Sequence, residues 1–512
     1  MDLNLLLDMA VSGDPERVLV GRRADGLTAS EIQRRAANGA AMLQAKEAEH
    51  LVFVAVIDEA FPVALFASSA AGIPLVPLNY RLAHEQLADL VSQNAPAFVV
   101  AEQGILDKLA LDSEMSTTPA GWLELTARDH DGARESIPND ADDVAVLLYT
   151  SGTTAAPKAA VLRHRHLTSY VLMTVEFGAA DRRDCSLVSV PPYHVAGVAN
   201  TITNLYAGRR VVHLSRFTPE GWLATVEDEG VTQALVVPTM LARVVEHLDA
   251  TGAARGPALR SIAYGGAPMP TRIIERALAI FPDTSFVNAY GLTETSSTIA
   301  VLGPEDHRAA LASDDPAVRA RLGSAGRAVP GIEMEIRDDD GVVVPAGQVG
   351  NLFVRGDQVS GEYRGRQVEV TDGWFATRDL AYVDAEGFLF VQGRADDTII
   401  RGGENIAPAE IEAVLEQHPA VSEVAVVGIP DEEWGQRIAA VAVLRDGQQV
   451  TPDDLRDFAR SRLRGSKTPD LVELVPELPR TDTGKLLRRA IVSDLARPAP
   501  TSNEPATMEA TP

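Results

Sequence analysis

Between residues 149 and 160 the chain reads Tyr-Thr-Ser-Gly-Thr-Thr-Ala-Ala-Pro-Lys-Ala-Ala. Thr150, Ser151, Gly152, Thr153 and Thr154 offer short hydroxyls and unencumbered backbone N–H groups, and Lys158 adds a single cation. That set suits a phosphate chain, which wants many small donors, little bulk and one compensating positive charge. The Walker A and G-x-G-x-x-G spacings are both absent. Read alone, the stretch fits an ordinary polar turn equally well.

Other chemistry-bearing residues recur downstream. His194 closes Pro191-Pro192-Tyr193-His194, where a lone histidine is as readily structural as reactive. Gly265-Gly266-Ala267 pairs two glycines, which let a flat ligand lie against backbone or simply make a turn. Asn288-Ala289-Tyr290-Gly291-Leu292-Thr293-Glu294 supplies an aromatic ring, hydroxyls and one carboxylate. Beside a phosphate loop, Glu294 suits Mg²⁺, a cation that takes one or two carboxylates plus phosphate oxygens. Asp379 is placed to accept from ribose hydroxyls. Arg394 and Asp396 stand where the composition changes, Gly402-Gly403 open a helical stretch, and Lys485 ends a Thr-Gly loop.

The elements that must position these groups follow from hydrophobic patterning. Val144–Leu148 reads as a buried strand leading into the first loop. Strands are expected at Leu51–Ile57, Pro96–Ala101, Ser186–Val190, Arg210–Leu214, Thr232–Val237, Ser261–Tyr264 and Thr284–Ala289, with helices such as Pro219–Glu229, Thr239–Leu248 and Thr271–Ile280 between them. Alternation of this kind predicts an α/β fold with parallel sheet and flanking helices, whose ligands sit at strand C-termini. Residues 1–50 read as a helical lead-in, and Asp112–Asp140 as acidic, irregular surface. After Arg327 short strands with Gly/Asp turns predict a small antiparallel or barrel-like unit, and after Arg394 a compact α+β unit. The expected domains are 1–395 (with 331–393 as its β-rich part), a mobile C-terminal domain at 396–495, and a disordered tail at 496–512.

Composition excludes several classes. A net charge of -26 repels nucleic acid and anionic membranes, so a phosphate ligand needs a local positive site. One cysteine, Cys185, rules out an internal disulfide framework and reads as a small core residue. The N-terminus lacks a basic n-region, and the uncharged stretch 60–78 is interrupted by Pro62, Gly72, Pro74 and Pro77, so neither a signal peptide nor a membrane span is expected. The expected setting is cytoplasmic, and homodimer formation stays open.

Taken in order, the Ser/Thr/Gly loop with Pro157-Lys158, Tyr290-Gly291-Leu292-Thr293-Glu294, Gly373-Trp374-Phe375 with Arg378-Asp379, Gly393-Arg394-Ala395-Asp396-Asp397 and Gly484-Lys485 resemble the adenylate-forming superfamily. Gly402-Gly403-Glu404-Asn405-Ile406 followed by Pro408-Ala409-Glu410-Ile411-Glu412 looks most like its acyl-CoA synthetase branch. The resemblance implies an ATP-dependent carboxylate–CoA ligase acting in two half-reactions, acyl-AMP formation with release of pyrophosphate and then transfer to the CoA thiol. It implies ATP, Mg²⁺ and CoA as cofactor and co-substrates, and a small carboxylic acid as partner.

By the same resemblance Lys485 bridges carboxylate and α-phosphate. Thr150, Ser151, Gly152, Thr153, Thr154 and Lys158 hold the distal phosphates, and Glu294 with Thr154 holds Mg²⁺. Gly266, Ala267 and the backbone of Asn288, Ala289 and Tyr290 frame adenine, Gly265, Gly291 and Thr293 belong to the same cofactor site, Asp379 and Arg394 take ribose, and His194 lines the acyl tunnel. Asp396 is the hinge about which the C-terminal domain rotates between half-reactions, presenting Gly402 and Gly403 to the pantetheine arm. Arg460, Arg462, Arg464 and Lys467 either meet the CoA phosphates or form a solvated face. Two departures stand out: Ala155 and Ala159 replace glycines usual in the family and lose easy access to positive φ, and Arg401 before Gly402-Gly403 stands where the family often has a smaller residue.

Val195, Gly197, Val198 and Thr239 are the expected acid pocket, small or apolar and without a cation for a second carboxylate. A monocarboxylic acid, medium-chain or aromatic, follows. The competing readings are an adenylating enzyme that loads a carrier protein or other nucleophile, and a non-catalytic nucleotide-binding relative.

Overall fold

The apolar stretch from residue 60 forms the helix Ala60–Ala71, buried on every side and ended by Gly72 at φ +73°. A helix apolar all round is a core helix. Its neighbour Ala29–Ala45 starts at a Thr28/Glu31 capping box. The two approach closely because Gly39 has no Cβ, which would stand 2.9 Å from the Ala67 side chain. Among the described residues no helix is long and apolar enough to cross a membrane.

A computed structural model describes residues 1–128, 139–150, 157–252, 258–366, 370–401, 404–431, 434–481, 484 and 486–495. The expected site residues Ser151, Gly152, Thr153, Thr154, Gly402, Gly403 and Lys485, and the tail from 496, lie outside them. The chain divides into two compact units. The first is Met1–Thr377 with Tyr382–Phe390, and the second is Arg378–Ala381 with the chain from Val391 onward.

The first unit is mixed α/β. In a nine-stranded sheet, Arg210–His213, Cys185–Val188, Gln233–Val236, Ser261–Gly265 and Ser285–Leu292 run parallel in that order. Their C-terminal ends therefore share one rim. A six-stranded sheet runs Ser116–Thr117, Ala97–Ala101, His50–Val54, Leu75–Pro77, Val144–Thr150 and Lys158–Arg163. Glu333–Arg337, Gly350–Arg355 and Trp374–Val383 form the expected small antiparallel sheet. Cys185 is fully buried, as expected of a core residue.

Two local expectations are corrected. Residues 1–50 hold not only helices but the strands Val18–Val20 and Leu27–Thr28, which extend the large sheet at one edge and are too short to show a period. The stretch from Asp112 contains the helix Pro119–Ala127, capped by Thr118 and anchored by the fully buried Trp122. Residues 158–163 form a strand paired with Val144–Thr150, with Ala160, Val161 and Leu162 buried in the sheet, and it runs directly into the helix His164–Thr174.

The second unit is α+β. Val421–Asp431 and Gly435–Leu444 pair antiparallel, and Leu471–Leu474 joins in parallel. Pro408–Leu415, Pro452–Arg460 and Arg488–Leu495 are its helices.

One acid near the start of the core helix has a pH signature. Burial, with help from Glu59 and Glu102, pushes the Asp58 carboxyl up to about 7 despite the Ala60 N–H that it accepts at 2.9 Å. Its folded pKa lies above the unfolded value of about 3.9. The native state thus holds a proton that the unfolded state has lost, and stability falls as pH rises from about 4 to 7. Asp58→Asn keeps the acceptor and removes the charge. We expect it to unfold at a higher temperature than wild type at pH 8 and at the same temperature near pH 4. Scanning calorimetry at both pH values checks this, and equal midpoints at pH 8 would refute it.

Candidate active site

The site draws on two sheets: a hairpin of the six-stranded one, and turns at the C-terminal rim of the nine-stranded one. Thr150 ends one strand of a hairpin and Lys158 begins the next, the two facing each other in register. The Lys158 ammonium stands 5.7 Å from the centre of the Tyr363 ring, within cation–π range.

Gly265 ends its strand opposite Ala289. A Cβ on Gly265 would stand 2.2 Å from the Ala289 carbonyl oxygen, so the approach requires glycine. Gly266 follows at φ +83° with open space where a Cβ would be, and Ala267 is half-buried beyond it. The Asn288 side chain donates to the Ser324 carbonyl at 2.9 Å, which fixes the strand rather than leaving that amide for a ligand. Ala289, Tyr290, Gly291 and Thr293 remain half-buried along the rim.

Glu294 sits in the turn Thr293–Thr295. The turn is clamped from below: buried Gln358 donates to the carbonyls of Thr295 and Thr298 at 3.0 and 2.9 Å. Ser296 and Ser297 take φ of +55° and +116°, a conformation that costs non-glycine residues energy and gathers at functional sites. The Glu294 carbonyl accepts the N–H groups of Ser360 and Gly361 at 2.8 and 3.0 Å, and its carboxylate accepts the Tyr363 hydroxyl. Among the described residues no group of three His, Cys, Asp or Glu side chains could hold a metal. One hard carboxylate with an oxygen beyond the tyrosine's fits Mg²⁺ brought in on nucleotide phosphates, and fits no all-protein cage.

The segment 360–364 was not foreseen as part of the site. It pairs with the second hairpin strand through Ala160 and Tyr363, and Val161 N–H donates to the Glu362 carbonyl at 2.9 Å. Arg163 and Glu362 form a two-pronged ion pair at 2.9 and 2.8 Å. Arg364 donates to Asn94 at 2.7 Å, and Asn94 to the Tyr149 hydroxyl at 3.0 Å. The hairpin and the Glu294 turn are thereby joined through one strip of chain. The only sequence signal was a tyrosine amid charge and glycine, Gly361-Glu362-Tyr363-Arg364-Gly365-Arg366.

His194 precedes the helix Val195–Ala207, its ring packed 4.8 Å from Tyr193, which in turn meets Tyr80 at 5.6 Å. Val195 and Thr239 are half-buried at their helix starts. Gly197 lies where a Cβ would meet the Pro191 carbonyl at 2.6 Å. Val198 is fully buried in the core and presents no surface to a ligand.

In the second unit Asp379 and Arg394 come together, Nε to carboxylate at 3.1 Å, the acid 5% exposed. Asp396 is exposed in the turn Ala395–Asp397, following Gly393 at φ +132°. Gly484 takes φ +79°, Arg480 donates to its carbonyl at 2.7 Å, and Arg480 bridges Leu486. The backbone on both sides of position 485 is therefore pinned. Of the basic cluster, Lys467 is closed into an ion pair with Glu410 at 2.5 Å, Arg460 lies 3.5 Å from Asp457, and Arg462 stacks on Phe458.

These arrangements have counterparts of known chemistry. The sequence pattern described as AMP-binding enzyme matches residues 7–364, and that of the AMP-binding enzyme C-terminal domain matches 410–485. A feruloyl-CoA synthase of an Amycolatopsis species is 35% identical over 492 residues, 93% of this chain and 95% of that one. A fatty acid–[acyl-carrier-protein] ligase of Streptomyces coeruleorubidus is 33% identical over 447 residues, 83% of each chain. The o-succinylbenzoate CoA synthetase of Bacillus subtilis, solved with its acyl-adenylate intermediate, superposes with a TM-score of 0.81 at 28% identity, covering 95% of this chain and 97% of that one. With matches spanning both units, the chain belongs to the AMP-binding enzyme family, in its acyl-CoA synthetase branch.

Proposed function

We propose that this chain is an AMP-forming carboxylate–CoA ligase acting on an aromatic or medium-chain monocarboxylic acid. The observation that carries the reading is the joining of Lys158 and Glu294 through the 360–364 strip at the parallel-sheet rim. A cation and an anion held together there suit the distal phosphates and their Mg²⁺. Mg²⁺, when bound, supplies charge neutralisation on those phosphates.

In the first half-reaction a substrate carboxylate oxygen forms a bond to the α-phosphorus. The bond from that phosphorus to the bridging oxygen breaks, and pyrophosphate leaves with the electron pair. Lys485 neutralises the two anions as they meet. In the second, the CoA sulfur attacks the acyl carbonyl, the bond to the AMP oxygen breaks, and the thiol proton passes to solvent. Thr150, Ser151, Gly152, Thr153 and Thr154 line the phosphates, the Gly265–Ala267 and Ala289–Gly291 backbones frame adenine, and Asp379 with Arg394 takes ribose. Buried Asp379 is pre-oriented by its arginine, as a hydroxyl acceptor must be. Gly402 and Gly403 serve the thiol arm, and Asp396, exposed beside Gly393, serves as hinge. We place the functional boundary at 395/396, a few residues beyond the division of the two units at Phe390. The strongly negative net charge agrees with a cytoplasmic small-molecule enzyme.

Val195 and Thr239, half-buried at the starts of their helices, are small uncharged side chains, consistent with one carboxylate and an apolar remainder. The feruloyl-CoA synthase likeness favours an aryl acid. The likeness to an acyl-carrier-protein ligase supports a second reading, a separate carrier protein as acceptor. Pyrophosphate release from Mg²⁺·ATP over a panel of acids, each with and without CoA, tests both. Release that rises with CoA for aryl acids supports the proposal. Release unchanged by CoA moves the acceptor to a carrier, and release with no acid overturns adenylation.

A further inference from the structure

The Tyr363 side chain is shared between two functional groups. Its hydroxyl donates to a Glu294 carboxylate oxygen, and the Lys158 ammonium lies over its ring at 5.7 Å. Its backbone bridges Ala160 in the hairpin strand, while the preceding Ser360 and Gly361 N–H groups hold the Glu294 carbonyl. Ring and hydroxyl are thus fixed from both sides before any ligand arrives.

Two consequences follow. A carboxylate has two oxygens, and a donor on one fixes its plane, presenting the other in a defined direction. A cation over a phenol ring draws electron density from it and makes its hydroxyl a stronger donor. Lys158 and Glu294 then do not act separately, since each is tied to the other through one aromatic side chain.

We infer that Tyr363 is a positioning residue that orients Glu294 for the divalent cation and couples that cation to the phosphate-binding lysine, Lys158. The inference rests on the proposed roles of Glu294 and Lys158 and extends them to a residue with no direct part in the chemistry.

Tyr363→Phe removes the hydroxyl and keeps the ring, the backbone bridge and the cation–π contact. The full-length protein would be titrated with Mn²⁺ in the presence of a non-hydrolysable ATP analogue, with free Mn²⁺ read by electron paramagnetic resonance. Outer-shell donors of this kind change metal affinity by about 10-fold or more. We expect Tyr363→Phe to weaken Mn²⁺ by that factor, to raise half-saturating Mg²⁺ in turnover equally, and to recover wild-type kcat at excess Mg²⁺. The unfolding temperature should not move, which separates positioning from loss of fold. Tyr363→Leu should add a rise in the KM for ATP, because Lys158 loses its ring. Glu294→Gln is the companion measurement. Weakened Mn²⁺ binding in Glu294→Gln but not in Tyr363→Phe overturns the inference and leaves the role of Glu294 standing. Unchanged binding in both overturns that role, and the inference with it.

Discussion

Lys485→Ala should lose acyl-AMP formation by roughly 10²–10³-fold, the effect of deleting one preorganised charge partner of a developing transition state. It should keep near wild-type thioester formation from supplied acyl-AMP and CoA. The asymmetry is the argument. Adenylation brings a carboxylate and a phosphate into contact, two anions whose repulsion a cation at the reacting atoms must offset. Thioester formation starts with that junction already covalent, and its sulfur nucleophile attacks a neutral carbonyl. The flanking backbone is ordered, with Gly484 at φ +79° and Arg480 donating to its carbonyl. Of the neighbouring cations, Arg480 is paired with Glu423 and Arg488 with Glu412. Single-turnover assays of each half-reaction decide the matter. Equal loss in both halves would remove Lys485 from adenylation, and no loss in the first would leave that charge without a named partner.

The parts of this site legible in sequence are those whose meaning is local. A lone carboxylate after a strand, Glu294, and paired glycines after another, Gly265-Gly266, announce a rim because strand ends point one way in parallel sheet. Tyr363 carried no such local sign. It reaches Glu294 across 69 residues of chain, and no periodicity encodes that pairing. The strand at Lys158–Arg163 was hidden for a related reason: Lys158 and Pro157 look like loop, while burial of the alanines and leucine that follow is decided by the six-stranded sheet. Val198 shows the opposite error. It follows His194 closely enough to look like pocket lining, yet on the helix Val195–Ala207 it falls on the stripe with Ile202 and Leu205 that faces the core. The Asn288 side chain is committed to Ser324, which leaves only its backbone for the expected contact with adenine.

Gly291→Ala is expected to cost the first unit about 4 kcal/mol or more, the range reserved for substitutions with no room to relax. A Cβ there would stand 1.7 Å from the Ser297 carbonyl oxygen and 2.9 Å from the Thr298 Cα, both backbone atoms of the paired strand. Relief requires moving Ser285–Leu292 away from Ser297–Leu302 at the bulge between Tyr290 and Gly291. The far side of that turn has little freedom, since Ser296 and Ser297 already hold positive φ and Gln358 grips the carbonyls of Thr295 and Thr298. Any shift therefore displaces Glu294, which lies between the two strands. Stability and Mg²⁺·ATP-analogue affinity should fall together, the midpoint by several degrees and the affinity at least tenfold. Gly266→Ala is the control for stability. It takes a φ of +83°, unlike Gly291, but its Cβ would enter open space, so only the local backbone strain of about 1 kcal/mol is expected. Calorimetry of both variants and titration of Gly291→Ala with the analogue give the comparison. A Gly291→Ala protein as stable as Gly266→Ala, binding nucleotide as wild type does, would mean the Glu294 turn is held by something other than this close approach of strands.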